Sequence, residues 1–353
     1  MSVPSTMRAL GLTKVGGPEH LEELEVPVPT PAQDEVLIRV STVGANHQDV
    51  FTMTGRANVG SVVLPHILGI DPAGTVASLG RGVTGLEPDE RVMVKPAISC
   101  GTCKFCTAGH DDACQNLRNV GVHRAGGFAE YVAVPATNVF RIPETLSFAE
   151  ATAVAHSFPV ALLMLRDRAE VGPEDVVLVT SASGAIGSAS VQIAKALGAE
   201  VIAAASSQER AELGAARGAD MVIDYGTTPE FAGLIRNRYP EGVSVYVESA
   251  GNPRVWKEAM KTIGRKGRVT VCGAHAGPIV DLDLTRLFRT RVSVLGCSGS
   301  SLRSVRDVLA MAAANSITPT VDSIRPLWEA PAAFQRLTTR QSRGKVVLRV
   351  REE

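Results

Sequence analysis

This chain carries no net charge, because 36 Lys and Arg are balanced by 36 Asp and Glu. Nothing global therefore draws it to nucleic acid or to an anionic membrane, and neither is expected as a partner. No apolar run approaches the length of a membrane span, and Met1 to Leu10 lack the basic-then-apolar pattern of a secretory signal. A cytoplasmic location is the expectation. Aromatic residues are scarce at 4%, but hydrophobic residues reach 45%, and this balance excludes a disordered or collagen-like chain. Its 353 residues suffice for two domains of roughly 150 residues, each able to bury a core. Cysteine is missing from most of the chain. Four of the six lie between Cys100 and Cys114, while Cys272 and Cys297 stand alone in apolar stretches. A disulfide framework would spread its pairs along a small secreted chain, so the clustering points to metal in a reducing compartment.

What is present falls into two textures. To about Pro143 the chain is rich in short strands, such as Val36–Val40 and Gly74–Leu79, and in turns such as Gly82–Gly85 and Glu87–Glu90. This rhythm predicts an antiparallel, partly barrel-like domain. From Val171 onward, apolar strands alternate with helices. Strands are expected at Asp175–Thr180, Glu200–Ala205, Met221–Ile223, Val243–Val247 and Gly267–Val271, with Arg291–Gly296 as an edge. Helices are expected at Ile186–Leu197 and Gln208–Ala216. Such alternation predicts an α/β fold whose parallel, doubly wound sheet is covered on both faces. The tail returns to a helix over Leu302–Ala314 and ends in the strand Lys345–Val350.

Two motifs carry chemistry. Ser181-Ala182-Ser183-Gly184-Ala185-Ile186-Gly187 links a strand to a helix and is built of small residues. A dinucleotide's pyrophosphate needs close backbone approach and free N–H groups at a helix N-terminus, which this turn offers, although Ser181 replaces the usual first glycine. The following strand ends in Ala203-Ala204-Ala205-Ser206-Ser207 with no acid, and Arg210 follows. A carboxylate there would bind a ribose 2′-hydroxyl, whereas hydroxyls and a guanidinium suit a 2′-phosphate. NADP is therefore favoured over NAD, although Glu209 lies close to the same place. In the second motif, Cys100, Cys103, Cys106 and Cys114 offer four thiolates within one loop. That set makes a closed tetrahedral zinc site, structural because it leaves no coordination position for substrate. A cysteine-rich nucleic-acid ribbon is the other reading, and Asp111 and Asp112, which offset Lys104 and Arg118, do not help it.

A four-cysteine lobe preceding a nucleotide-binding sheet resembles the medium-chain dehydrogenase/reductase family, which includes zinc alcohol dehydrogenases and quinone oxidoreductases. The resemblance covers nearly the whole chain. It rests further on Gly69-Ile70-Asp71-Pro72-Ala73-Gly74, Gly126-Gly127-Phe128-Ala129-Glu130-Tyr131 and Gly344-Lys345-Val346-Val347. It implies a GroES-like catalytic domain over 1–155, with the zinc lobe at about 96–116. A Rossmann domain over 156–295 and a return of 296–353 to the first domain follow. It also implies a small-molecule substrate in an interdomain cleft, and a homodimer or homotetramer paired through the Rossmann sheet edge.

Zinc alcohol dehydrogenases draw their catalytic ligands from three places, and this chain departs at two. The cysteine before a His/Arg-Thr/Ser-Asp run is Asn46 here, in Asn46-His47-Gln48-Asp49. The Gly-His-Glu triplet is Gly69-Ile70-Asp71. The third place aligns with His156 in Ala155-His156-Ser157-Phe158. A catalytic zinc normally takes three protein ligands, so the resemblance leaves one structural zinc per subunit and no catalytic one. An irregular site around Asp71, His47 and His156 is the competing expectation. Without a Lewis acid, a quinone or α,β-unsaturated carbonyl is an easier hydride acceptor than an ordinary ketone, because conjugation spreads the developing charge. The expected roles are Asn46 as hydrogen-bond donor to substrate oxygen and His156 as proton donor tuned by Asp71. His47, by resemblance, lies near the cofactor pyrophosphate. Each also has a bland reading: His156 as a satisfied histidine at a helix start, Asn46 bonded to local backbone, Asp71 bracing a turn with Pro72. Phe51 and Met53 are either pocket lining or core. A zinc alcohol dehydrogenase and a non-catalytic dinucleotide-binding protein remain the alternatives.

Overall fold

The computed structural model describes residues 3–56 and 62–351. It divides into two compact units: one comprises 1–156, 299–314 and 319–353, the other 157–298 and 315–318. The division falls inside a helix, Phe148–Leu162, which continues as a π-helical segment over Leu163–Arg168. Contrary to the expectation from run lengths, this 21-residue stretch is long and apolar enough to cross a membrane by length and composition. Within the protein 89% of its apolar window is buried, as befits a core helix.

The first unit is built on a seven-stranded sheet. Its central strand, Glu35–Ala45, pairs antiparallel with Ala73–Leu79, Tyr131–Pro135 and the returning tail strand Lys345–Arg349. The buried faces of these strands form an aliphatic core of Val36, Ile38, Val40, Val76, Val92 and Val132. The sheet is mixed rather than wholly antiparallel, because Val321–Pro326 runs parallel to Lys345–Arg349. A smaller three-stranded sheet joins Leu21–Pro27, Thr6–Leu12 and His66–Ile67.

The second unit is a six-stranded parallel sheet. Its strands are β1 (Val176–Thr180), β2 (Glu200–Ala205), β3 (Met221–Asp224), β4 (Val243–Glu248), β5 (Ile263–Val271) and β6 (Ser293–Gly296). Their order is β3-β2-β1-β4-β5-β6, the arrangement of doubly wound dinucleotide-binding sheets. Strands β1 and β2 are apolar on both faces because helices cover both, and Val177, Leu178, Val201 and Ile202 are fully buried. The sheet order reverses between β1 and β4. That reversal opens a crevice at their C-terminal ends, where ligands bind in such folds.

Candidate active site

The strand register brings distant residues of the first unit together. In the pairing of Lys345–Arg349 with Glu35–Ala45, Val346 faces Ala45 and Val347 faces Gly44, so Lys345 arrives beside Asn46. Ala73 pairs with Thr42 on the opposite side of the same strand, which delivers Asp71 beneath Gly44. The result is a buried polar cluster. The Lys345 ammonium donates to Asp71 Oδ2 and, at 2.6 Å, to Asn46 Oδ1. Asp71 Oδ1 accepts from Gly44 N at 3.0 Å and from Asn46 Nδ2 at 3.1 Å. Gly44 leaves room for the lysine, since a Cβ there would lie 2.1 Å from Lys345 Cε and 2.6 Å from Nζ and would force the side chain to shift.

This geometry corrects the role expected of Asn46. Both its amide N–H groups are committed, one to Asp71 and the other to Gly44 O at 3.1 Å. Its backbone N–H donates to Asp49 Oδ2, in a capping box that starts the helix His47–Met53. No donor remains on it for a substrate oxygen. Asn46 instead anchors the lysine.

His156 lies within its helix, not at its start, and is partly exposed. One turn earlier on the same face, Thr152 bonds Thr42 of the central strand at 2.8 Å, which fixes the direction in which His156 points. Burial, then the Lys345 charge, pushes its imidazole down to about 4, against the opposing pull of Asp71. The expected tuning by Asp71 is thus outweighed by burial and by the Lys345 charge. At neutral pH His156 offers a neutral N–H rather than an imidazolium.

Two participants were not singled out in the sequence. Lys345 had been noted only as part of a closing motif. Asp49 is fully buried and accepts from Gly69 N at 3.1 Å as well as from Asn46 N at 2.9 Å. Burial, reinforced by the neighbouring Asp71 charge, pushes its carboxyl up to about 7. Neither position carries a local signal, since Asp49 follows Asn46-His47-Gln48 and Lys345 follows Gln341-Ser342-Arg343-Gly344. Met53 is fully buried among Leu12, Val43 and Phe334, so it is core rather than pocket lining. Phe51 is half-buried under the Arg56 guanidinium. His47 is the first residue of its helix and half-buried.

In the second unit, Ser181 takes a left-handed backbone (φ +53°), and Gly184 caps the twelve-residue helix Ala185–Ala196. Gly187 packs so closely that a Cβ would meet Ser181 O at 2.2 Å. The turn Ser181 to Gly187, with Ala182 and Ser183 buried and Ile186 half-buried, is therefore shaped for backbone approach to a pyrophosphate. Arg210 reaches from the next helix to donate to Ser183 Oγ at 3.1 Å, and Ser207 caps that helix. Ser206 beside it is exposed. At the end of β4, the buried Glu248 accepts from Ala250 N (2.6 Å), from Gly251 N (2.8 Å) and from the Tyr246 hydroxyl, rigidifying the loop beside the crevice.

The four cysteine sulfurs lie within 4.8 Å of one another, with measured pairs at 3.5 and 4.0 Å. Zn–S bonds of about 2.3 Å in a tetrahedron place sulfurs about 3.8 Å apart, so the residues fit zinc. The Thr102 and Cys103 backbone N–H groups hold the Cys100 thiol down to about 5, and Cys100 N donates to Cys114 Sγ at 3.2 Å. Among the described residues this is the one such cluster of three or more metal-ligating side chains. Asp111 is buried. It pairs with the buried Lys95 at 3.5 Å, and its two oxygens accept from Leu302 N at the start of the helix Leu302–Ala313.

A four-cysteine lobe able to hold zinc on a GroES-like unit, joined in one chain to a dinucleotide-binding sheet, defines a medium-chain dehydrogenase/reductase. Residues 32–144 match the family described as alcohol dehydrogenase GroES-like domain, and residues 185–314 match zinc-binding dehydrogenase. An NAD-dependent alcohol dehydrogenase of Sulfolobus acidocaldarius is 30% identical over 98% of this chain and 100% of its own. An acryloyl-coenzyme A reductase of Metallosphaera sedula is 28% identical over 94% of this chain and 97% of its own. The crystal structure of an NAD-dependent alcohol dehydrogenase superimposes with a TM-score of 0.91 at 35% identity, covering 98% of this chain and 100% of that one. The chain belongs to the medium-chain dehydrogenase/reductase family. It is an NAD(P)-dependent oxidoreductase.

Proposed function

We propose that the protein is an NADPH-dependent reductase of conjugated carbonyl compounds, a class that spans quinones, enones and α,β-unsaturated thioesters. The observation that carries this reading is the donor set where zinc alcohol dehydrogenases take their catalytic ligands. Ile70 is apolar and 2% exposed, and the Asn46 amide and the Asp71 carboxylate are spent on Lys345 and Gly44. These residues do not fit a catalytic metal. A conjugated acceptor delocalises the negative charge that arrives with hydride, so hydrogen-bond donors suffice for its oxygen. His156 supplies such a donor as a neutral imidazole. The name of the Metallosphaera relative supports an unsaturated thioester as one member of the class. NADPH is preferred to NADH because Ala205 and Ser206 end β2 without a carboxylate and Arg210 stands beside the phosphate-binding turn.

The name of the Sulfolobus relative favours a second reading, alcohol–carbonyl interconversion. The deciding experiment follows NADPH oxidation with a panel of enoyl thioesters, enones and quinones, and NADP⁺ reduction with primary and secondary alcohols. Turnover of conjugated acceptors alone is the expected result, and turnover of alcohols alone would refute the proposal. We also propose cytoplasmic residence and a homodimer or homotetramer formed along the edge strand β6. Val294 on that strand and Leu284 and Phe288 on the preceding helix are exposed there.

A further inference from the structure

We propose that Cys272 and Cys297 are a redox-active pair that closes a reversible disulfide across the ends of β5 and β6, beside the dinucleotide crevice. Each stands by itself in the sequence, and only sheet register brings the two together. Val271 pairs with Gly296 in the parallel ladder, and Cys297 N donates to Val271 O at 2.9 Å. The register therefore runs on into the next pair, Cys272 and Cys297. Partners on neighbouring strands present their side chains on one face and lie about 4.8 Å apart, within the roughly 4.4–6.8 Å Cα separation that a disulfide bridges. Both residues are thiols and both are half-buried, so a small oxidant reaches them. The other four cysteines gather in their own cluster in the first unit. Desolvation, then the nearby Cys297 charge, pushes the Cys272 thiol up to about 12, which puts the two sulfurs within electrostatic reach of each other.

Hydrogen peroxide is the oxidant. The Cys297 thiolate attacks one peroxide oxygen, the O–O bond breaks, and hydroxide leaves and is protonated to water, giving a sulfenic acid. The Cys272 sulfur then attacks the Cys297 sulfur. The S–S bond forms, the S–O bond breaks, and the Cys272 proton leaves with the hydroxyl as a second water. The two sulfurs lose two electrons and the peroxide gains them, and a dithiol reverses the step by exchange. Cys272 is the resolving thiol, since it stays protonated at neutral pH. The cross-link acts on the crevice through one bond. Cys272 N donates to Glu248 O at 2.9 Å, and the Glu248 carboxylate holds Ala250 N and Gly251 N. Gly273, at φ +124°, packs so that a Cβ would lie 2.5 Å from Ser249 O, which leaves little slack for a shift at Cys272. This inference is independent of the substrate class proposed above.

The test treats zinc-replete full-length protein with a slight molar excess of hydrogen peroxide and maps its tryptic peptides, unreduced, by mass spectrometry. The expected product joins the peptide 269–286 to the peptide 292–303, is released by dithiothreitol, and forms with zinc retained. Both thiols still open to alkylation, each oxidised separately to sulfinic acid, or either linked to a lobe cysteine would overturn the proposal. This mapping needs only the wild type. Fluorescence titration with NADPH and with NADH then reads the crevice. Oxidation should weaken binding of the preferred dinucleotide by about fivefold or more, the lower end of typical coupling between sites, and dithiothreitol should restore it. Cys297→Ser should bind like the reduced wild type and should not respond to peroxide. Unchanged binding by fully cross-linked protein overturns the coupling to the crevice.

Discussion

Replacing Lys345 with methionine keeps the volume of the side chain and removes its charge. In the wild type the lysine is 3% exposed and its partner Asp71 is fully buried, so the pair is shielded from solvent screening. Removing one member of a buried pair costs about 3–5 kcal/mol, because the other charge is left uncompensated. Here Gly44 N and Asn46 Nδ2 still donate to Asp71, which argues for the lower end, about 3 kcal/mol. At about 2–4 °C per kcal/mol for a unit of this size, the melting midpoint should fall by roughly 10 °C. Differential scanning calorimetry checks this directly. The companion variant Asp71→Asn/Lys345→Met removes both charges and should recover most of the loss, since a neutral pair incurs no desolvation penalty. A Lys345→Met midpoint within one degree of wild type, or a double variant as unstable as the single one, would refute the buried-pair argument.

Other outcomes follow from the same geometry. The carboxyl of Asp49 sits at about 7 when folded against an ordinary 3.8. The folded state therefore holds a proton that the unfolded state releases, and stability falls as pH rises from 4 to 7, by about 4 kcal/mol on this account. Urea midpoints of Asp49→Asn should lack that component of the slope. Since burial holds His156 at about 4, the kcat–pH profile should show no inflection near 6.5, and His156→Ala should lower kcat about 10²-fold. Ala205→Asp places a carboxylate at the end of β2 and should shift the ratio of kcat/KM for NADPH over NADH towards NADH by about tenfold or more. Cys103→Ser should lose the zinc and lower the melting midpoint, measured by metal analysis and calorimetry on the same sample.

The parallel sheet was legible because each strand is a continuous apolar run and each run is a local property. Val176–Thr180 and Val243–Glu248 stand where their composition placed them. The thiolate cluster was legible because its four members share one loop. Asn46 was recognised as an unusual residue at a ligand position, and its bond to local backbone, weighed as one reading, is present at Gly44 O, whereas its bonds to Asp71 and Lys345 were not foreseen. The acceptor that engages it lies 25 residues away and the donor 299 residues away, and only strand register brings the three together. Likewise, the shift at His156 comes first from burial and then from Lys345, a residue that looks like an ordinary strand-end lysine until its neighbours are known. The contacts of Asp111 were not legible for the same reason, since its partners Lys95 and Leu302 belong to other segments.

That last arrangement has a consequence for how the protein ages. Asp111 lies between Cys106 and Cys114, inside the four-cysteine loop, and its carboxylate accepts from the first amide of a helix nearly two hundred positions downstream. Were the thiols oxidised and the loop rearranged, Asp111 would be held by Lys95 alone, and the helix at 302–313 would risk losing the acceptor for its first amide. Damage to the thiols should therefore be felt far along the chain, as faster amide exchange at Leu302.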